Sequence, residues 1–160
     1  MISFYLFWCL GYLALLFWLS QKWPKSDFQN SPKGKLPSAT LIIPFRNEEK
    51  RIVPLLTSIR ESSELPAQFI FVDDHSTDQT IQHIQEQLSD YPIHVLTAKG
   101  QGKKAALQTG IDHATTPYLL TLDADVEFRA DYFTAVKQLV PADMHILPVQ
   151  MSSRGWKRLF

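Results

Sequence analysis

The chain has 160 residues, with 16 Lys and Arg balanced by 16 Asp and Glu, enough for one compact domain and an appendage. A net charge of zero offers no basic face, so no nucleic-acid partner is expected. The single cysteine, Cys9, excludes an internal disulfide framework and a cysteine-rich zinc site.

From Met1 to Gln21 no side chain is charged, and "ISFYLFWCLGYLALLFWLS" is dominated by Leu, Phe, Trp and Tyr. Roughly 20 helical residues, at about 1.5 Å each, reach across a hydrocarbon core of about 30 Å. Residues 1–21 therefore predict one transmembrane helix. A cleaved leader would need a basic start and a small-residue cleavage site, and a buried globular helix is seldom so apolar on every side. Lys22, Lys25, Lys33 and Lys35 follow with only Asp27 against them, so the positive-inside rule puts the remainder in the cytosol, at the face of the cell membrane. Residues 22–38, rich in Pro, Ser and Lys, read as an extended basic linker.

Over residues 39–150, apolar runs of strand length alternate with segments of helical period. That pattern predicts an α/β domain with a mainly parallel sheet and flanking helices. The first strand is "ATLIIPF", followed by a helix with Ile52, Leu55, Leu56 and Ile59 on one face and Pro54 in its first turn. "QFIFVDD" is the second strand. It leads into a helix with Ser76 as N-cap, Gln79 as its capping-box partner, and Ile81, Ile84 and Leu88 as the buried stripe. The third strand is "IHVLT". "AKGQGKKAALQTGIDHA" then gives a glycine-containing loop opening into a helix, "PYLLTLDAD" forms a fourth strand, "ADYFTAVKQL" a helix, and "MHILPV" a fifth strand. Residues 151–160 begin a further, membrane-proximal segment.

Asp123 and Asp125 stand where the fourth apolar run stops. In a strand, residues two apart share a face, so both carboxylates point together if the strand persists to Asp125. Two adjacent carboxylates repel unless a cation lies between them. A hard dication, Mg2+ or Mn2+, completed by waters and phosphate oxygens, suits such a pair. An acidic turn after a strand is the plainer reading of an isolated D-x-D. Position adds weight, because Asp73 and Asp74 end the second strand and "PFRNEE" ends the first. Those residues also have plainer readings: the aspartates as acceptors for backbone N–H groups at the next helix, and Arg46, Glu48 and Glu49 as a solvated helix start. The five histidines show no metal-ligand spacing.

"TLIIPFRNEE", "FVDDHSTDQT", "GKKAALQTGI" and "LLTLDADV", in that order, resemble the nucleotide-binding half of family 2 glycosyltransferases with the GT-A fold, over roughly Ser38 to Val149. The apolar N-terminus is similar to that of the family's membrane-integral members. The resemblance implies that Pro44 and Arg46 flank the base, with Arg46 stacking on it, and that Glu48 lies near the nucleotide. It implies that Asp74 reads the base edge, commonly uracil, with Asp73 beside it. Lys103 would lie near the diphosphate; a solvated helix start is its plainer reading and that of Lys104. Asp123 would face ribose and metal, and Asp125 would ligate the metal directly.

The implied activity is transfer of a sugar from a nucleoside-diphosphate sugar, a UDP-sugar, to a glycan or lipid acceptor, the EC 2.4 class. The leaving diphosphate would be stabilised by the metal and the lysine. The catalytic base and the Q-x-x-R-W-like motif of membrane synthases are not recognisable, so the base is expected beyond Phe160 and the chain as the donor half of a longer enzyme. A nucleotide-binding fragment without turnover is the alternative. A phosphotransferase with a nucleophilic aspartate is less consistent, because such enzymes usually carry D-x-D at the first strand.

Overall fold

The computed structural model describes residues 2–22, 38–139, 143–144 and 146–147. Internal contacts divide the chain into two units, Met1–Ser31 and Pro32–Phe160. In the first, helix α1 spans Ile2–Lys22, and its described side chains, Tyr5 and Phe7 to Lys22, are exposed. Lys22 Nζ lies 5.8 Å from the ring centroid of Trp18, a cation–π distance.

The expectation of a spanning helix over residues 1–21 is met in helicity. Among the described residues, however, no helix is long and apolar enough to cross a membrane. Residues 23–37 of the basic linker and all of 151–160 lie outside the described residues.

Among the described residues the second unit is built on four strands, β1 (Ala39–Phe45), β2 (Gln68–Asp73), β3 (Ile93–Thr97) and β4 (Tyr118–Thr121). They lie in the order β3-β2-β1-β4, and every pairing is parallel. Four helices accompany them: α2 (Val53–Glu61), α3 (Thr80–Gln87), α4 (Lys103–His113) and α5 (Tyr132–Lys137).

Period-two alternation sends β1 and β2 side chains to two cores. Leu41, Ile43, Phe45, Phe69 and Phe71 pack with Ile52, Leu55, Leu56, Ile59, Ile84, Leu88 and Phe133. Ile42, Ile70 and Val72 pack on the other face with Ala98 and Ala106 of the α4 side. With both faces covered, the strands read as continuous apolar runs, which is why their sequence signal is strong. Gly110 permits the closest approach: a Cβ there would lie 2.5 Å from Ile42 Cγ2.

Pro54 sits in the first turn of α2 as expected. Helix α3 differs, because it begins at Thr80 with Gln79 in the N-cap position and no side-chain cap. Ser76 is engaged elsewhere, its Oγ accepting the Asn47 N–H at 3.0 Å. β4 is shorter than expected and stops at Thr121. Asp123 to Val126 form a turn closed by Val126 N–H donating to the Asp123 carbonyl at 3.3 Å. Met144, Ile146 and Leu147, from the expected fifth strand, are not extended in a sheet; the rest of that segment lies outside the described residues.

Candidate functional site

The chain runs β1 to β2 to β3 outward on one side and then returns to place β4 on the far side of β1. In a parallel sheet this reversal opens a crevice beyond the carboxyl ends of the two strands that flank it. A cleft of about 240 Å³ lies there, lined by Pro44, Phe45, Arg46, Glu48, Asp74, Lys103, Ala106, Asp123, Ala124 and Asp125. Seven of the eight residues singled out in the sequence thus meet at one place. Asp73 is the exception: its Oδ1 accepts the Ser76 N–H at 2.9 Å, within its own loop. Asp73, the last residue of β2, and Asp74, the first beyond it, take different partners.

Asp74 is buried and joins three segments. Its Oδ1 accepts the Gly102 N–H at 2.8 Å and lies 3.5 Å from His75 Nδ1. Its Oδ2 lies 3.6 Å from Arg46 Nη1. Burial pushes its pKa up, but the Gly102 N–H, the His75 ring and the Arg46 guanidinium outweigh this and hold it below the usual value. Gly102 has φ +87°, a conformation that favours glycine. It turns the chain into α4, whose first residue is Lys103. The positive end of α4 and the Lys103 ammonium therefore border the same cleft, an arrangement that favours an anion.

Lys103 Nζ reaches Asp123 Oδ1 at 2.6 Å. The positive group that the paired aspartates call for is thus supplied by the protein's own lysine on one of them. Both side chains are more than half exposed, so solvent screens the pair and leaves it exchangeable. Asp125 is exposed on the same turn. Among the described residues no group of three or more His, Cys, Asp or Glu could hold a metal ion. Two carboxylates and an open cleft fit a hard dication that keeps waters and takes further oxygens from a bound diphosphate.

Glu48 is held by Arg51, with Oε1 2.9 Å from Nη2 and Oε2 2.8 Å from Nε. The most extensive feature missed by sequence reasoning is the coupling between the β1–α2 and β2–α3 loops. The N–H groups of Asn47, Glu48 and Glu49 donate in turn to Ser76 Oγ at 3.0 Å, Thr80 Oγ1 at 2.9 Å and Asp78 Oδ2 at 3.1 Å. Asn47 Oδ1 accepts the Thr77 N–H at 2.8 Å in return. Asn47 and His75, the non-glycine residues with positive φ (53° and 59°) among the described residues, stand in these two loops. The polar run "HSTDQT" is the available sequence signal, but it reads as a cap for its own helix.

Comparison with solved structures gives a mannosyltransferase, PcManGT from Pyrobaculum calidifontis in complex with GDP-Man and Mn2+. It matches with a TM-score of 0.60 at 24% identity, over 81% of this chain and 40% of that one. TarS of S. aureus in complex with UDP-GlcNAc matches with a TM-score of 0.53 at 25% identity, over 62% of this chain and 30% of that one. Both carry the GT-A-like fold. Among curated relatives, a 4,4'-diaponeurosporenoate glycosyltransferase of Staphylococcus aureus is 41% identical over 93 residues, 57% of this chain and 24% of the relative. A dolichyl-phosphate β-glucosyltransferase of Trichomonas vaginalis is 32% identical over 130 residues, 69% of this chain and 39% of the relative. The chain therefore spans between a quarter and two fifths of the length of these two relatives. The family profile for "Glycosyl transferase family 2" matches residues 40–154. The chain belongs to glycosyl transferase family 2.

Proposed function

We propose that this chain binds the donor of a sugar transfer: a nucleoside-diphosphate sugar, with UDP as the nucleotide, whose sugar passes to a glycan or lipid acceptor with help from Mg2+ or Mn2+. One observation carries the reading. Arg46, Glu48, Asp74, Lys103, Asp123 and Asp125, drawn from three strand ends and one helix start, line a single cleft at the sheet's reversal point.

The roles that the family resemblance implies are supported by where each group stands. Asp74 Oδ1 is taken up by Gly102, so its Oδ2, beside Arg46, is the atom left to accept a base N–H, while Arg46 stacks on the ring. Lys103 and the first turn of α4 receive the diphosphate. Asp123 and Asp125 hold the dication, which when bound would offset charge developing on the departing diphosphate. None of these carboxylates is assigned as the base that deprotonates the acceptor.

UDP affinity measured by calorimetry with and without Mn2+ tests the reading. The native chain should bind more tightly with metal, and Asp125→Asn should lose about tenfold or more of that metal-dependent affinity while metal-free binding stays unchanged. Equal affinities with metal would overturn it. Because the chain covers only part of its relatives, binding without turnover is the second reading. It is told apart by incubation with UDP-sugars and acceptors, where neither transfer nor donor hydrolysis would occur.

We also propose that α1 anchors the chain to the cytosolic face of the cell membrane. The support is its uncharged, aromatic run to Gln21 and the cluster of lysines that follows.

A further inference from the structure

Two of the segments that wall the cleft, the β1–α2 loop and the β2–α3 loop, are hydrogen-bonded to each other. The β1–α2 loop, which carries Arg46 and Glu48, offers three successive N–H groups that no strand or helix satisfies. Each donates to a side chain of the β2–α3 segment: Asn47 to Ser76, Glu48 to Thr80 and Glu49 to Asp78. Two of the three acceptors are themselves joined. Thr80 Oγ1 donates to Asp78 Oδ1 at 2.6 Å, and the Thr80 N–H donates to the same oxygen at 3.1 Å. Thr80 is fully buried, so its hydroxyl serves as a relay between the Glu48 amide and the Asp78 carboxylate. Asp78 divides its two oxygens between its own helix start and the neighbouring loop.

Neither residue lines the cleft. We propose that Asp78 and Thr80 are positioning residues: they lock the loop bearing Arg46 and Glu48 to the loop bearing Asp74, so that the nucleotide meets both walls already in place. The proposal rests on the nucleotide reading for its consequence and on the hydrogen-bond ladder for its mechanism. Burial raises the Asp78 pKa, and the Thr80 hydroxyl and three backbone N–H groups outweigh it, so the acceptor stays ionised at neutral pH.

Thr80→Val keeps the shape and deletes the relay, leaving the Glu48 N–H without its acceptor, whereas Thr80→Ser restores the oxygen. With the loop that bears Arg46 and Glu48 released from the loop that bears Asp74, Thr80→Val should weaken UDP binding in the presence of Mn2+ by about tenfold. Thr80→Ser should return it to within about threefold of the native value. Amide hydrogen exchange should rise in residues 46–52 while amides within α3 keep their protection, a local loosening that a general loss of stability would not produce. Asp78→Asn, which turns an amide NH2 toward either Glu49 N–H or Thr80, should repeat both effects if Thr80→Val fails to fold. Native-like exchange and affinity in these variants, or a serine variant as weak as the valine one, would overturn the proposal. Failure of the native chain to bind UDP would overturn the nucleotide reading, while the exchange pattern would still decide whether the ladder holds the loop.

Discussion

Asp74 sits at the meeting point of three chain segments, and its ionisation is therefore tied to folding. The folded protein holds its pKa below the ordinary value of 3.8, whereas the unfolded chain takes up the proton at that ordinary value. Its stabilising contribution is thus complete above about pH 4 and is lost as pH falls through the folded value. Urea midpoints followed from about pH 6 down to about pH 2.5 should fall more steeply for the native chain than for Asp74→Asn; parallel curves would show that Asp74 does not couple to folding. At this scale the sequence made the cleft's polar residues recognisable by type and position. It did not separate Asp73 from Asp74, because which of two adjacent side chains faces outward depends on where the strand ends. Nor did it reveal Asp78 and Thr80, whose partners lie some thirty residues away.

Among the elements, β1 and β3 match the apolar runs that predicted them residue for residue, and β2 stops one residue short, at Asp73. For β1 and β2 legibility follows from burial on both faces, which leaves no polar alternation to blur the ends, whereas β3, at the sheet edge, mixes half-buried with exposed residues. The start of α3 and the end of β4 were less legible. Ser76 serves another loop while Gln79 takes the N-cap position without a side-chain cap, and the D-A-D segment turns away after Thr121. Helix α4 depends on a glycine whose importance only the packing shows. Gly110→Ala would gain about 1 kcal/mol of helix propensity, yet the new methyl would sit 2.5 Å from Ile42 Cγ2 and 3.3 Å from Val72 Cγ2. Ile42 and Val72 are fully buried strand residues with little room to yield, so overpacking of about 1–3 kcal/mol should prevail. A thermal midpoint several degrees lower is expected, roughly 4–8 °C per kcal/mol for a domain this size. An unchanged or raised midpoint would mean that α4 slides away at no cost.

For the molecule as a whole, the parallel α/β plan was readable from the alternation of runs, and so was a helix at the N-terminus. Its run to Gln21 has no charged residue, so it lacks the polar face of a helix that lies at a membrane surface. Expressed in cells, the chain should sediment with membranes, and removal of residues 1–22 should release it to the supernatant. Alkaline carbonate would extract a surface-bound helix and leave a spanning one in the pellet. A full-length chain that stays in the supernatant would end the anchoring proposal.

Among the described residues β4 is four residues long, pairs with β1 alone and leaves its other margin bare. The turn bearing Asp123 and Asp125 hangs from that strand, so the wall proposed to hold a cation is attached by the shortest seam of strand pairing among the described residues. Fraying there costs less than melting the interior. A guest that grips both the aspartates and Lys103 would stitch the seam shut, so that occupancy and order at this margin rise together.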